Sequence, residues 1–292
     1  MKIVDELIKG AIDAHVHAGP DPLRQRRMDA YNLALKAKEM GMRAIVMKCH
    51  HYGTAPVVSI VNQVVPDFLL IGSIVLNSEV GGLNPEVVEV AAKAGAKIVW
   101  MPTHSSVIDI KKKKKTHHSQ TGLATAPGKG ISALDSNGKL VPQMISILEI
   151  IKHYNMILAT GHISVPEIYV LASKARTMRI KFVVSHPLTT GAGSPLNLAQ
   201  QIELVNKGAY IEHCFNSCLP PDLATTPMIM AEHIKAVGAE HCILSTDFGQ
   251  DYNPVPPEGF RMMVANMLMA GLSENNMEIL VKTNPAKLLD LD

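Results

Sequence analysis

The residues best suited to metal or acid-base chemistry fall at the ends of short apolar runs. The first such run, I-D-A-H-V-H-A at Ile12 to Ala18, closes in His15-Val16-His17. This pattern fits a buried strand, whose alternation turns both imidazoles to one side and Val16 to the other. Two neutral imidazoles at a strand end can hold a Zn2+-like ion, and equally they can be hydrogen-bonded core histidines. Later runs end in V-M-K-C-H-H at Lys48 to His51, M-P-T-H at His104, A-T-G-H at His162, V-V-S-H at His186, Y-I-E-H at Glu212 and His213, and L-S-T-D at Asp247. Each buried imidazole or carboxylate needs a partner, so this repetition is hard to attribute to packing. A shared metal ion supplies that partner.

The runs that carry these groups alternate with helical patterns. After the opening strand come Arg43 to Lys48, Phe68 to Leu76, Ala96 to Met101, Met156 to Thr160, Lys181 to Val184, Ala209 to Glu212 and His241 to Leu244. Between and after them, Met28 to Met42, Pro56 to Val65, Pro85 to Gly95, Pro142 to Tyr154, Pro166 to Met178, Leu196 to Lys207, Pro227 to Val237 and Glu258 to Ala270 read as helices. Eight strand-helix units with continuously apolar strands imply a parallel sheet buried on both faces. In 292 residues they predict an α/β fold, a single (β/α)8 TIM barrel spanning residues 1–292, with catalytic groups at the C-terminal strand ends. No G-x-G-x-x-G follows the first strand, which weakens a dinucleotide-binding reading. Ser273 to Leu291 reads as one more helix packed outside.

One interval, about 103–141, is too long for an ordinary connection and reads as a loop insertion. It holds five consecutive lysines at Lys111 to Lys115, then His117 and His118, and the turn D-S-N-G at Asp135 to Gly138, which predicts a small hairpin. The lysine run is either a solvated loop or a cationic flap for an anionic substrate.

Composition excludes several classes. With 47% hydrophobic and 18% charged residues the chain is globular. A balance of 28 basic against 26 acidic residues offers no broad charge for nucleic acid or an anionic membrane, and aromatics, only 4% of the chain, are not interleaved with the lysines. Four scattered cysteines, Cys49, Cys214, Cys218 and Cys242, make no disulfide framework and fit a reducing cytoplasm. Charges interrupt the N-terminal segment before a signal-peptide core forms, and no apolar run approaches the ~20 residues of a membrane span. The expected partner is a small-molecule substrate, without nucleic acid or membrane. Barrels of this kind commonly associate, so a homo-oligomer is allowed.

The ordered set His15 and His17 after the first strand, His162 after the fifth, His186 after the sixth and Asp247 after the eighth resembles the amidohydrolase superfamily of metal-dependent barrel hydrolases. The closing T-N-P-A-K-L-L at Thr283 to Leu289 is similar to its C-terminal helix. Within the superfamily the chain looks most like an uncharacterised amidohydrolase-like subgroup. The resemblance implies one or two divalent ions, Zn2+ first with Mn2+ or Fe2+ as alternatives, held by His15, His17, His162, His186 and Asp247. It departs at the fourth strand, where many binuclear members have a carboxylated Lys and this chain has W-M-P-T-H at Trp100 to His104. Lys48 is then a candidate ligand, a substrate-anion contact or a structural partner.

On this reading the ion acidifies a bound water and polarises the scissile bond. Asp247 is the general acid/base that takes the water's proton and passes it to the leaving group of an amide, lactone or related ester. His50, Glu212 and Arg27, within an arginine-rich stretch from Arg24, are candidate substrate contacts, and T-T-G-A-G-S-P at Thr189 to Pro195 is a candidate closing loop. The alternative is a non-hydrolytic member of the same fold, a decarboxylase, an isomerase or a metal-holding binding protein.

Overall fold

The structure, a computed structural model, describes residues 2–116 and 130–292, with backbone alone over 113–116. It opens on helix α1 (Lys2–Ile8), whose Val4, Leu7 and Ile8 are buried at helical spacing. Then β1 (Ile12–His17), α2 (Ala30–Glu39), β2 (Ala44–Lys48), α3 (Ala55–Val64), β3 (Leu69–Val75), α4 (Pro85–Lys93) and β4 (Ala96–Trp100) follow. The insert begins with α5 (Val107–Thr116). The alternation resumes with α6 (Pro142–His153), β5 (Ile157–Ala159), α7 (Val165–Met178), β6 (Lys181–Ser185), α8 (Leu198–Asn206), β7 (Ala209–Cys214), α9 (Pro227–Val237), β8 (Cys242–Ser245) and α10 (Pro256–Met269). Pro in the first turn of α3, α4, α6, α7, α9 and α10 fixes helical φ where no N–H is needed.

The strands pair in parallel in chain order from β1 to β8. Closure joins the ends of the sheet: His17 N donates to Phe248 O at 2.7 Å and Asp247 N to His15 O at 2.9 Å. This is the expected (β/α)8 barrel. Its interior is filled from alternate strand positions, among them Ile12, Ala14, Ala44, Val46, Ile98, Trp100 and Val183. A second, larger core lies between the sheet and the helices.

The chain's last segment corrects the sequence reading. The helix expected over Ser273 to Leu291 is present as one continuous helical stretch, α11 (Glu274–Glu278), a π-helical turn over Ile279–Thr283, and α12 (Asn284–Leu289), but it does not pack outside the barrel. Ala286, Leu288 and Leu289 of α12 pack with the interior strand residues and close the barrel at the end opposite the histidines. The 103–141 interval is likewise not all loop: the lysine run continues α5, and Leu134 pairs antiparallel with Leu140 around the expected D-S-N-G turn. His117 and His118 lie outside the described residues. No helix among those described is long and apolar enough to cross a membrane.

Candidate functional site

A break in register brings the first two histidines to the mouth. Between Asp13 and Val16, β1 gains one residue against β2. Ile12 and Ala14 face the interior, whereas Val16 faces the helices. Such a bulge re-aims the residues after it, so His15 and His17 share the inner face. His15 rests on the indole of Trp100, ring centroids 4.5 Å apart. Lys48, fully buried at the end of β2, reaches over the same indole with Nζ 4.4 Å from its centroid and 2.9 Å from His15 Nε2.

Asp247 meets both histidines. Its Oδ1 lies 3.2 Å from His15 Nε2 and 3.0 Å from His17 Nε2. Two of the expected site residues after strands have left-handed backbone, His186 at φ 32° and Asp247 at φ 55°. Strain of this kind at non-glycine residues clusters at functional sites, where the surrounding structure holds the side chain in place. For Asp247 that hold is the hydrogen bond from its own N–H to the His15 carbonyl.

The proton on His15 is placed by its neighbours. Nε2 faces the Lys48 amine, so Nδ1 carries the hydrogen and donates to Glu212 Oε2 at 3.2 Å. Glu212 Oε1 in turn accepts from Ser245 at 3.0 Å. A carboxylate behind an imidazole in this way fixes the tautomer that presents a lone pair to a metal. Burial pushes His15 down to about 3, with Lys48 adding to the shift, and holds His17, His50 and His186 well below the usual range. All four are neutral at ordinary pH. Burial pushes Glu212 up to about 8 and Lys48 down from its usual range, and each favours the other's charged form.

The donor set fits a divalent ion. His15 Nε2 and an Asp247 oxygen face each other at 3.2 Å, with the Lys48 amine 2.9 Å from the same nitrogen as the positive group beside them. Nitrogen and oxygen ligands about 2.0–2.2 Å from one centre lie roughly 3 Å or slightly more apart, as these do. His15, His17 and Asp247 are thus the three expected ligands that converge. His186 and His162 line the adjoining wall: His186 is 6.0 Å from His15 and 5.0 Å from His162, ring centre to ring centre.

Other expected residues take different places. Glu212 is not a substrate contact, because it is fully buried behind His15 with both oxygens hydrogen-bonded. His50 stacks on His17 at 4.7 Å and pairs through Nδ1 with Thr103 Oγ1 at 2.9 Å, so it stands beside the triad. Arg27 is exposed, bonds to Asp251 O at 3.3 Å, and borders an outer groove with Arg26, Asp29 and Val255. Arg26 is buried against Asp21 at 2.7 Å. Lys112 donates to Thr190 O at 2.8 Å and ties α5 to the loop after β6.

One residue that sequence reasoning missed is Asp109. It lies in the first turn of α5, with Oδ2 2.6 Å from His162 Nδ1 and Oδ1 accepting from Gly193 N at 2.8 Å. Its only sequence signal is a single acid inside the apolar S-S-V-I-D-I that precedes the lysines.

A family profile matches residues 10–212, which run from just before β1 into β7 and stop short of Asp247. The chain belongs to DUF6282, a family of unknown function. No curated protein matches this DUF6282 member in sequence. In structure it is similar to an amidohydrolase from Pseudomonas aeruginosa, with 12% identity, a TM-score of 0.63, and coverage of 99% of this chain and 97% of that one. It is similar also to the probable dipeptidase PvdM from the same organism, at 11% identity and TM-score 0.65 over 99% and 98% of the two chains. The 2,6-dihydroxybenzoate decarboxylase from Rhizobium gives 12%, 0.58, 97% and 99%. These likenesses, each under 25% identity, are of fold alone.

Proposed function

We propose that this DUF6282 protein is a metal-dependent hydrolase that splits an amide, lactone or related ester bond of a small molecule with water. The observation that carries the reading is the meeting of Asp247 with His15 and His17 at 3.2 and 3.0 Å on the C-terminal rim of the barrel. These three residues would hold a divalent ion, which would supply Lewis-acid polarisation and a water acidic enough to react near neutral pH. Glu212 keeps the His15 lone pair turned inward. Asp247, fixed by its N–H bond to His15 O, takes the proton of the attacking water and returns it to the departing oxygen or nitrogen. Lys48 balances the carboxylates from below. Four free, buried cysteines support a reducing compartment, in keeping with the cytoplasm.

The test is a panel of amides, lactones, cyclic imides and phosphoesters assayed with purified protein of known metal content, before and after chelation. Chelation abolishes turnover and Zn2+ or Mn2+ restores it. Asp247→Asn lowers turnover by about a hundredfold to ten-thousandfold, the usual worth of a placed acid-base group. Unchanged turnover in that variant removes Asp247 from its role.

A second reading, decarboxylation, draws support from the shared fold of the Rhizobium decarboxylase and from Trp100 to His104, where no lysine follows β4 to bridge two ions. Release of carbon dioxide from aromatic or unsaturated carboxylates, without hydrolysis of any panel member, selects it.

A further inference from the structure

We propose that His51, Glu79 and His104 form a second divalent-ion site, separate from His15, His17 and Asp247. The three come from the loops after β2, β3 and β4, and their ligand atoms lie within 4.8 Å of one another. Glu79 Oε1 is 2.7 Å from His104 Nε2 and 3.3 Å from His51 Nδ1. The side chains are 4%, 13% and 11% exposed for His51, Glu79 and His104. Two imidazoles and one carboxylate oxygen converging in a nearly dry pocket are the donor set of three-ligand zinc sites, in which the remaining position is open to water or substrate. An ion there opens the shorter contact by a few tenths of an ångström and leaves the other spacing as it is.

The surroundings match those of a ligand set. His51 Nε2 points toward Asp21 Oδ1, 3.7 Å away, and Asp21 is held by Arg26. At that distance Asp21 offers His51 its charge but not a hydrogen bond, and Nε2 is left buried without a hydrogen-bond partner among the described residues. Asn77 braces the loops that carry Glu79 and His104: its Oδ1 accepts from Thr103 N at 2.8 Å and Ser105 N at 3.3 Å. Its amide nitrogen has two hydrogens and two near acceptors, Thr103 Oγ1 at 2.7 Å and His50 O at 3.1 Å. The remaining 3.3 Å approach to His104 Nδ1 therefore does not fix that ring's proton on Nε2. The frame is built without help from an ion.

The two sites share no residue. His50 stands between them, its ring 4.7 Å from His17, 6.1 Å from His51 and 5.7 Å from His104. The competing account is a hydrogen-bonded cluster in which Glu79 pairs with an imidazolium and no ion enters. Softness and geometry place the ion among Zn2+, Co2+ and similar metals rather than Mg2+ or Ca2+.

Zn2+ stoichiometry after equilibrium dialysis and Co2+ absorption spectra test the site in the full chain. Wild type takes two equivalents. Glu79→Gln and His104→Asn each leave one, and the double variant His15→Asn/His17→Asn keeps one that Glu79→Gln then removes. A stoichiometry unchanged by Glu79→Gln and His104→Asn overturns the proposal. A wild type that takes only one equivalent, kept in the double variant and lost in Glu79→Gln, upholds this site and instead removes the ion from the proposed hydrolase centre. Should the variants not fold, anomalous scattering from wild-type crystals soaked in Zn2+ decides: a peak among the three side chains supports the site, and its absence there sinks it.

Discussion

Asp109 Oδ2 lies 2.6 Å from His162 Nδ1, so a carboxylate on α5 holds an imidazole that follows β5. The same side chain anchors the loop after β6 through Gly193, where a Cβ would stand 3.1 Å from His162 Cα. Helix α5, His162 and the loop after β6 are thereby one unit.

That unit gives the first prediction. Asp109→Asn keeps the volume and removes the charge behind His162. With His162 joining His15, His17 and Asp247 at the ion, as the resemblance implies, loss of such an orienting carboxylate costs about 10- to 100-fold in metal affinity. Competition with a chromophoric chelator measures it, with far-UV circular dichroism unchanged. Wild-type affinity in the variant restricts Asp109 to anchoring the loop.

Gly249 gives a second. It has φ 133°, and a Cβ there would stand 1.8 Å from the carbonyl oxygen of His17. Alanine therefore meets both backbone strain and a collision that only movement of β1 relieves. Gly249→Ala loses about 2–4 kcal/mol of stability and most bound Zn2+ together. Denaturant unfolding and metal analysis check the pair, and full metal retention counts against the tight junction of β1 with the β8 loop.

The residues that could be read from sequence are those whose geometry is periodic. That His15 and His17 share a face follows from strand alternation, though the register break that makes it the inner face does not, and Asp247 follows from its place after the eighth apolar run. Asp109 and Glu79 do not, because what they touch depends on how one loop folds over another, a long-range fact without a local pattern. The terminal segment was misread for a related reason. Leu288 and Leu289 satisfy a helical stripe equally well outside the barrel or beneath it, and the π-helical turn at Ile279–Thr283 that precedes them has no local pattern to announce it. The N-terminal K-I-V-D-E-L-I shows the reverse: its Val4, Leu7 and Ile8 carry a plain helical signal that a search for leader peptides passes over.

His213 links stability to pH. Strand alternation turns it away from Glu212 toward the helices, and neither ring nitrogen has a hydrogen-bond partner among the described residues. Burial lowers it from 6.5 to about 3, with His233 adding to the shift. The unfolded chain then binds a proton that the folded chain refuses, so stability falls as pH drops below about 6.5 and goes on falling toward 3. At pH of about 5 the loss is about 2 kcal/mol relative to neutral pH. His213→Leu removes this share of the dependence, the rest staying with His15, His17, His50 and His186, and urea unfolding at the two pH values shows it as a stability gap that shrinks in the variant. An unchanged gap means that other groups carry the acid sensitivity.

The barrel floor separates a strong contact from a weak one. Asp290 pairs with Lys97 and Lys181 at the starts of β4 and β6, yet its side chain is 43% exposed. Burial works against the shift, but the two lysines outweigh it and hold the Asp290 carboxyl below its usual range. Its contribution is therefore present above a pH of about 4 and fades as pH falls through the lowered value. Solvent screening keeps that contribution to about 1 kcal/mol or less. Leu288, 1% exposed among the interior strand residues, answers to a different term. Leu288→Ala removes buried carbon and leaves a cavity, at about 2–5 kcal/mol. Thermal melts at neutral pH thus place Leu288→Ala well below Asp290→Asn, and only the effect of Asp290→Asn shrinks in strong salt. The opposite ranking would mean that ion pairs, and not the apolar plug, hold α12 under the barrel.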